Sequence, residues 1–201
     1  PPPPRLDFAG LEAHAPEMDA LAAQTPGIDR FCSGSAWTLA AREAFAPDAI
    51  PVMDPFHVVR LAGDGLDRCR QRVQQATLGH RGRAGDPLYK VRRALHTGAD
   101  FLTDKQRARL EAVFAVEEHV EVEATWGIYQ RIVAAYREPD KVKGKQMMQA
   151  VIDALRSGVP AALVEIRRLG RTLKQRAADV LAFFDRPGTS NGPTEAINGR
   201  L

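Results

Sequence analysis

Cysteine is nearly absent. Only Cys32 and Cys69 occur in 201 residues, too few for a disulfide framework and without the paired spacing of a zinc ribbon. Both read as free thiols. No apolar run approaches the roughly 18 residues that a bilayer-crossing helix needs. The opening PPPPRLDF has neither a basic nor an apolar signal region. A cytoplasmic protein with no membrane partner is expected. Also missing are a glycine-rich phosphate loop ending in Lys-Ser or Lys-Thr and an H-E-x-x-H pair. Nucleotide hydrolysis and zinc-site chemistry therefore have no support.

What is present is ordinary in amount and uneven in placement. Apolar residues make up 44% and charged residues 26%, the proportions of a globular protein long enough to bury a substantial core. Net charge is only +3, yet from Arg60 to Arg93 nine Arg or Lys stand against three Asp. Such a local excess either faces a polyanion or forms a solvated helix face. Arginine outnumbers lysine 22 to 6, which suits bidentate phosphate contacts and equally suits a GC-rich coding sequence.

Proline and glycine divide the chain. Residues 1–34 carry a Pro run and a short amphipathic piece broken by Pro16, and no compact element is expected there. AWTLAAREAFA, 36–46, reads as a helix closed by Pro47. AIPVM, 49–53, reads as a short strand leading into Asp54, with Pro51 confining it to an edge or bulge. Beyond Asp54 nearly everything is helical. Val58, Leu61, Leu66, Cys69 and Val73 recur at helical spacing, predicting a helix to about Leu78. HRGRAGD is a basic loop, DPLYKVRRALH a short helix, and Thr103 caps a region ending at Pro139 that divides into two helices. DKVKGKQMMQAVIDALRSG stops at Gly158. Pro160 opens one long helix with Leu163, Ile166, Leu173, Ala177, Val180 and Phe184 along a face.

Two carboxylates stand at helix starts. Asp54, in VMDPFHVV, precedes Pro55 and is either an N-cap or a ligand-binding acid at a strand end. Glu195, in NGPTEAI, falls at the third helical position if Gly192 caps, where a carboxylate complements the orphan amides. His57 shares a helical face with Asp54 and reads as a packed or capped residue more readily than as a ligand. Trp126, Tyr129, Ile132 and Val133 form an apolar stripe that belongs in a core.

VMDPFHVVRLAGDGLDRCRQRVQQ, HRGRAGDPLYKVRRALHTGADFLT, EATWGIYQRIVAAYRE and above all GTSNGPTEAINGRL closely resemble the transposase of the ISL-three group of bacterial insertion sequences. The likeness runs from about Ala40 to Leu201. It implies an α/β fold, a partial ribonuclease-H-like core interrupted by a large all-helical insertion, so that the chain is predominantly α by content. The implied parts are a poorly defined segment at 1–34, partial catalytic core at 35–60, helical insertion at 61–187 and the start of a core helix at 188–201.

The resemblance also implies a function: metal-dependent cleavage and transfer of DNA strands during transposition. By it, Asp54 matches the second acid of an Asp, Asp, Glu set and Glu195 the third, while Asp29, in PGIDRF, is the nearest acid to the place of the first. These three would be the catalytic residues and the ligands of Mg²⁺ or Mn²⁺. Hard carboxylate oxygens suit Mg²⁺, and two such ions can stabilise the attacking and leaving oxygens of a phosphodiester transfer. DNA, as element ends and target, is the implied partner, with a homodimer assembled on it and a location at the bacterial nucleoid. Arg68, Arg70, Arg72, Arg81, Arg83, Arg92, Arg93 and Arg200 are the candidate DNA contacts, and the segment Arg167 to Arg176 is a second basic stretch. The first residue is not Met and the chain stops where a helix opens, so a fragment or a decayed copy is expected. The alternative function is accordingly an inactive remnant acting at most as a helical DNA-binding or interaction protein.

Overall fold

The computed structural model describes residues 50–156 and 158–186, which fall almost wholly in the second of two units, Val52–Leu201. Among the described residues there is no strand. α1 is Pro55–Leu78, followed by two short helices, α2 (Pro87–Lys90) and α3 (Arg92–Leu95). A single 3-10 turn at Ala99–Phe101 leads to α4 (Asp104–Phe114), and another at Glu117–His119 leads to α5 (Val120–Arg137). α6 (Lys141–Arg156), α7 (Val164–Gln175) and α8 (Ala177–Asp185) complete the body.

The ends of these helices follow from local chemistry. Pro55 occupies the first turn of α1, where a missing N–H costs nothing, and Gly79 closes the helix at φ 72° with its N–H bonded to Gln75 O at 3.2 Å. An L side chain is disfavoured in that left-handed conformation. Thr103 and Gln106 form a capping box: the Thr103 hydroxyl accepts from Gln106 N, and the Gln106 amide oxygen accepts from Thr103 N at 2.9 Å. Gly158, at φ 93°, follows the last turn of α6.

Packing converts amphipathic stripes into one core. Val58, Ala62, Leu66, Cys69 and Val73 are buried along one side of α1, at the i, i+4 and i+7 spacing of a helical stripe. They pack chiefly on α5 and then on α7; α6 packs against α5, α7 and α8. Val122, Tyr129 and Ile132 of α5 meet Met148 and Ile152 of α6 in the same cluster, with Leu173, Val180 and Phe184 from α7 and α8. Each fully buried aliphatic chain contributes about 1.5–3 kcal/mol. Burial also pushes the Cys69 thiol up to about 11, so it behaves as a small apolar side chain. Trp126 lies at the margin of the core against Phe114, ring centroids 5.3 Å apart.

Three local expectations are corrected. Ile50–Met53 is not a strand. Pro51 has no N–H to give, and the Met53 N–H is spent on Asp179 O of α8 at 2.9 Å instead of a ladder. The final long helix also divides. Pro160 starts a turn that receives the Leu163 N–H, helix begins only at Val164, and Arg176 leaves helical geometry with φ −108° and ψ 21°. The Arg176 guanidinium pairs with Asp179 in the first turn of α8, which secures the break. DPLYKVRRALH likewise forms two short helices, hinged at Val91.

Candidate functional site

Asp54 sits where the chain enters the helical body. Its backbone is extended, φ −61° and ψ 134°, and its carboxylate accepts the Phe56 N–H at 2.7 Å. Its own carbonyl accepts the His57 N–H at 3.1 Å. It is therefore the N-cap of α1, and a carboxylate there meets both an orphan amide and the positive end of the helix dipole. The neighbouring bond from Met53 to Asp179 stitches this helix start to α8, and the residue as a whole is buried, 6% exposed.

The other side of this corner is supplied by α5. Burial raises the Tyr136 hydroxyl pKa well above its ordinary value, and the negative charge of Asp54 adds to the rise. The Tyr136 ring lies flat against Phe184, with centroids 5.3 Å apart and planes 5° from parallel. Its hydroxyl is buried and makes no hydrogen bond among the described residues. Glu195 and Asp29 lie outside the described residues, as does Arg200. Within them, no group of three His, Cys, Asp or Glu could hold a metal ion.

The candidate DNA contacts divide by environment. Arg68 on α1, Arg81 and Arg83 in the loop after it, and Arg93 on α3 are exposed. Arg92 is half-buried, its guanidinium 4.1 Å from the centre of the Tyr89 ring, with Nη1 donating to Tyr89 O. Arg70 and Arg72 have other duties. Arg70 is buried, donating through Nη1 to Gln74 Oε1 at 2.7 Å and pairing with Asp67 at 3.2 Å. Gln74 in turn donates to Asp86 at 3.2 Å, and Asp86 also accepts the Arg83 N–H. This relay from Asp67 to Asp86 ties the basic loop to α1 through Arg70 and Gln74. Arg72 is held by two acids, Glu165 at 2.8 Å and Glu121 at 2.6 Å. Its positive charge is already neutralised.

A run of like charge does not reveal such partners. Glu165 lies 93 residues from Arg72, and nothing in local spacing connects them. Asp67 and His96, 29 residues apart and 3.0 Å from each other, were equally illegible. The Asp67 carboxylate falls below its usual range chiefly because it binds His96, and His96 rises for the reciprocal reason.

The model of a family described as "Transposase", the ISL-three group of the Asp-Asp-Glu type, matches residues 31–201. The chain belongs to this transposase family. No curated protein and no solved structure gives a match. The matched span includes Asp54, the exposed arginines of α1 to α3 and the whole helical body, so the described fold is that of a transposase-family chain. No described helix is long and apolar enough to cross a membrane.

Proposed function

We propose that this transposase-family chain carries part of a catalytic region that cuts and joins DNA strands, with Asp54 as one of its metal-binding acids. The observation that carries the reading is Asp54 itself: a buried residue whose carboxylate is held at a helix start, within the span that the family model matches. On this reading the helical body is the insertion of a ribonuclease-H-like α/β core, and Glu195 and Asp29 complete the ligand set. Carboxylate oxygens are the donors Mg²⁺ prefers, so the Asp54 side chain fits the ion chemically. When bound, such ions stabilise the attacking and leaving oxygens of phosphodiester transfer. The chain's own contribution is to fix the Asp54 carboxylate through Phe56 N and to anchor that helix start on α8 through Met53. Exposed Arg68, Arg81, Arg83 and Arg93 would contact phosphates and orient the duplex without reading its sequence.

A second reading has its own support. The Asp54 bond to Phe56 N is what an N-cap requires, whether or not a metal is ever present. An inactive remnant that binds DNA through its basic loop would keep it. Calorimetry with Mn²⁺ and a strand-cleavage assay, on the full chain, separate the two. Metal binding and cleavage that vanish in both Asp54→Asn and Glu195→Gln support the enzyme. Salt-sensitive DNA binding without either activity supports the remnant.

A further inference from the structure

The C-terminal end of α6 and the flank of α7 enclose a cleft of about 310 Å³. It lies beside a close contact between the two helices. A Cβ on Gly170 would lie 3.2 Å from both Leu155 Cβ and Leu155 O, so glycine lets α7 press against the last turns of α6. Arg156 projects from α6 into the wall of this cleft, and Arg167, Arg171 and Lys174 line it from α7. Among the described residues no acidic side chain lines it. Arg156 has a long contact to Asp153, 3.4 Å, on its own helix. Arg167, Arg171 and Lys174 make no ion pair among the described residues. This contrasts with Arg72, at the other side of α7, which two glutamates neutralise.

Three like charges on one helix face, with Arg156 at the wall of the cleft, give a local positive potential that attracts an anion. The spacing narrows the class of anion. Residues 167, 171 and 174 follow the i, i+4, i+7 rhythm of one helix face, a row about 10 Å long at a rise of about 1.5 Å per residue. One DNA strand carries a phosphate about every 3.4 Å of duplex axis, so such a row can meet two or three in succession. A small anion would satisfy one or two of these cations and leave the others exposed.

The geometry points to this cleft as a second docking site for duplex DNA, binding the phosphate backbone, separate in sequence from the basic loop that follows α1. The inference rests on the transposase reading for its choice of polyanion, and deepens it by giving α6 and α7 a substrate-holding role. The site makes no base contacts and so discriminates little between sequences.

The test is fluorescence anisotropy of the full chain with a labelled duplex of about 20 base pairs, read across a salt series. The triple variant Arg167→Ala, Arg171→Ala, Lys174→Ala is expected to weaken binding at least tenfold. It should also lower the slope of log affinity against log salt by about 2, since each phosphate contact contributes about 0.9. Arg167→Lys with Arg171→Lys retains the charges and should recover most of the affinity. Unchanged affinity and slope in the alanine triple, with melting as in the unmodified chain, would overturn the inference while leaving DNA binding through the basic loop intact. An absence of salt-dependent DNA binding in the unmodified chain overturns it together with any DNA-handling function. Two competition results also overturn it: saturation by millimolar inorganic phosphate that DNA does not displace, or a loss confined to single-stranded RNA.

Discussion

Arg72 of α1 grips Glu165 of α7 in a two-point bond, Nε to Oε1 at 2.9 Å and Nη2 to Oε2 at 2.8 Å, and its Nη2 also reaches Glu121 of α5 at 2.6 Å. One guanidinium thereby ties three helices at the edge of the core. Planar, bidentate pairing of this kind is stronger than a surface ion pair because both partners are held in register.

Removing one member of this cluster leaves the others half-buried without compensation. Arg72→Ala is expected to destabilise the fold by about 1–3 kcal/mol, measured by urea unfolding. The Arg72 contact also holds the Glu165 carboxylate below its ordinary 4.5. A lowered acid contributes stability above its unfolded pKa and loses it as pH falls through the folded one. The Tm of the unmodified chain should therefore drop more steeply below about pH 4.5 than that of Glu165→Gln.

His96 and Asp67 give a window with two edges. His96 is raised from 6.5, so its share of stability is full below that pH and fades as pH rises through the higher folded value. Asp67 is lowered from 3.8, so its share fades as pH falls below that. The pair is strongest between roughly pH 4 and 6.5. Both groups are partly exposed, so the difference between the unmodified chain and His96→Gln should stay within about 1 kcal/mol. Proton NMR of the His96 ring across this range checks the direction.

Asp54→Asn separates architecture from chemistry. Asparagine caps a helix about as well as aspartate, so thermal unfolding should change by less than about 0.5 kcal/mol. If Asp54 is a metal ligand, Mn²⁺ binding and strand cleavage should fall by orders of magnitude in the same variant. Cleavage that survives with a normal melting curve rejects the catalytic assignment.

Two glycines inside helices predict opposite outcomes. A Cβ on Gly144 would meet Ala135 O at 2.8 Å and the Phe184 ring at 2.9 Å, where α5, α6 and α8 converge. Gly144→Ala should cost about 1–3 kcal/mol despite alanine's better helix propensity. Gly127 in α5 has nothing within 4 Å. Gly127→Ala should stabilise by about 0.5–1 kcal/mol, which paired denaturant titrations would show.

The sequence by itself determined the long helices and most of their ends. Periodicity placed α1 to Leu78 and put Tyr129, Ile132 and Val133 in the core, because a helix that buries one stripe must repeat apolar residues at its own pitch. Thr103 was legible as a cap because its partner lies only three residues away. Asp54 was legible as both cap and candidate ligand, and the tertiary structure adds its anchor on α8 and its proximity to Tyr136. Packing decided everything that depends on distant neighbours. Whether Arg72 faces solvent or acids is fixed by Glu121 and Glu165; whether Met53 joins a ladder is fixed by Asp179. Local pattern reports a residue's own helix face, whereas charge pairing and helix approach are set by atoms brought within a few ångströms only after the chain has folded.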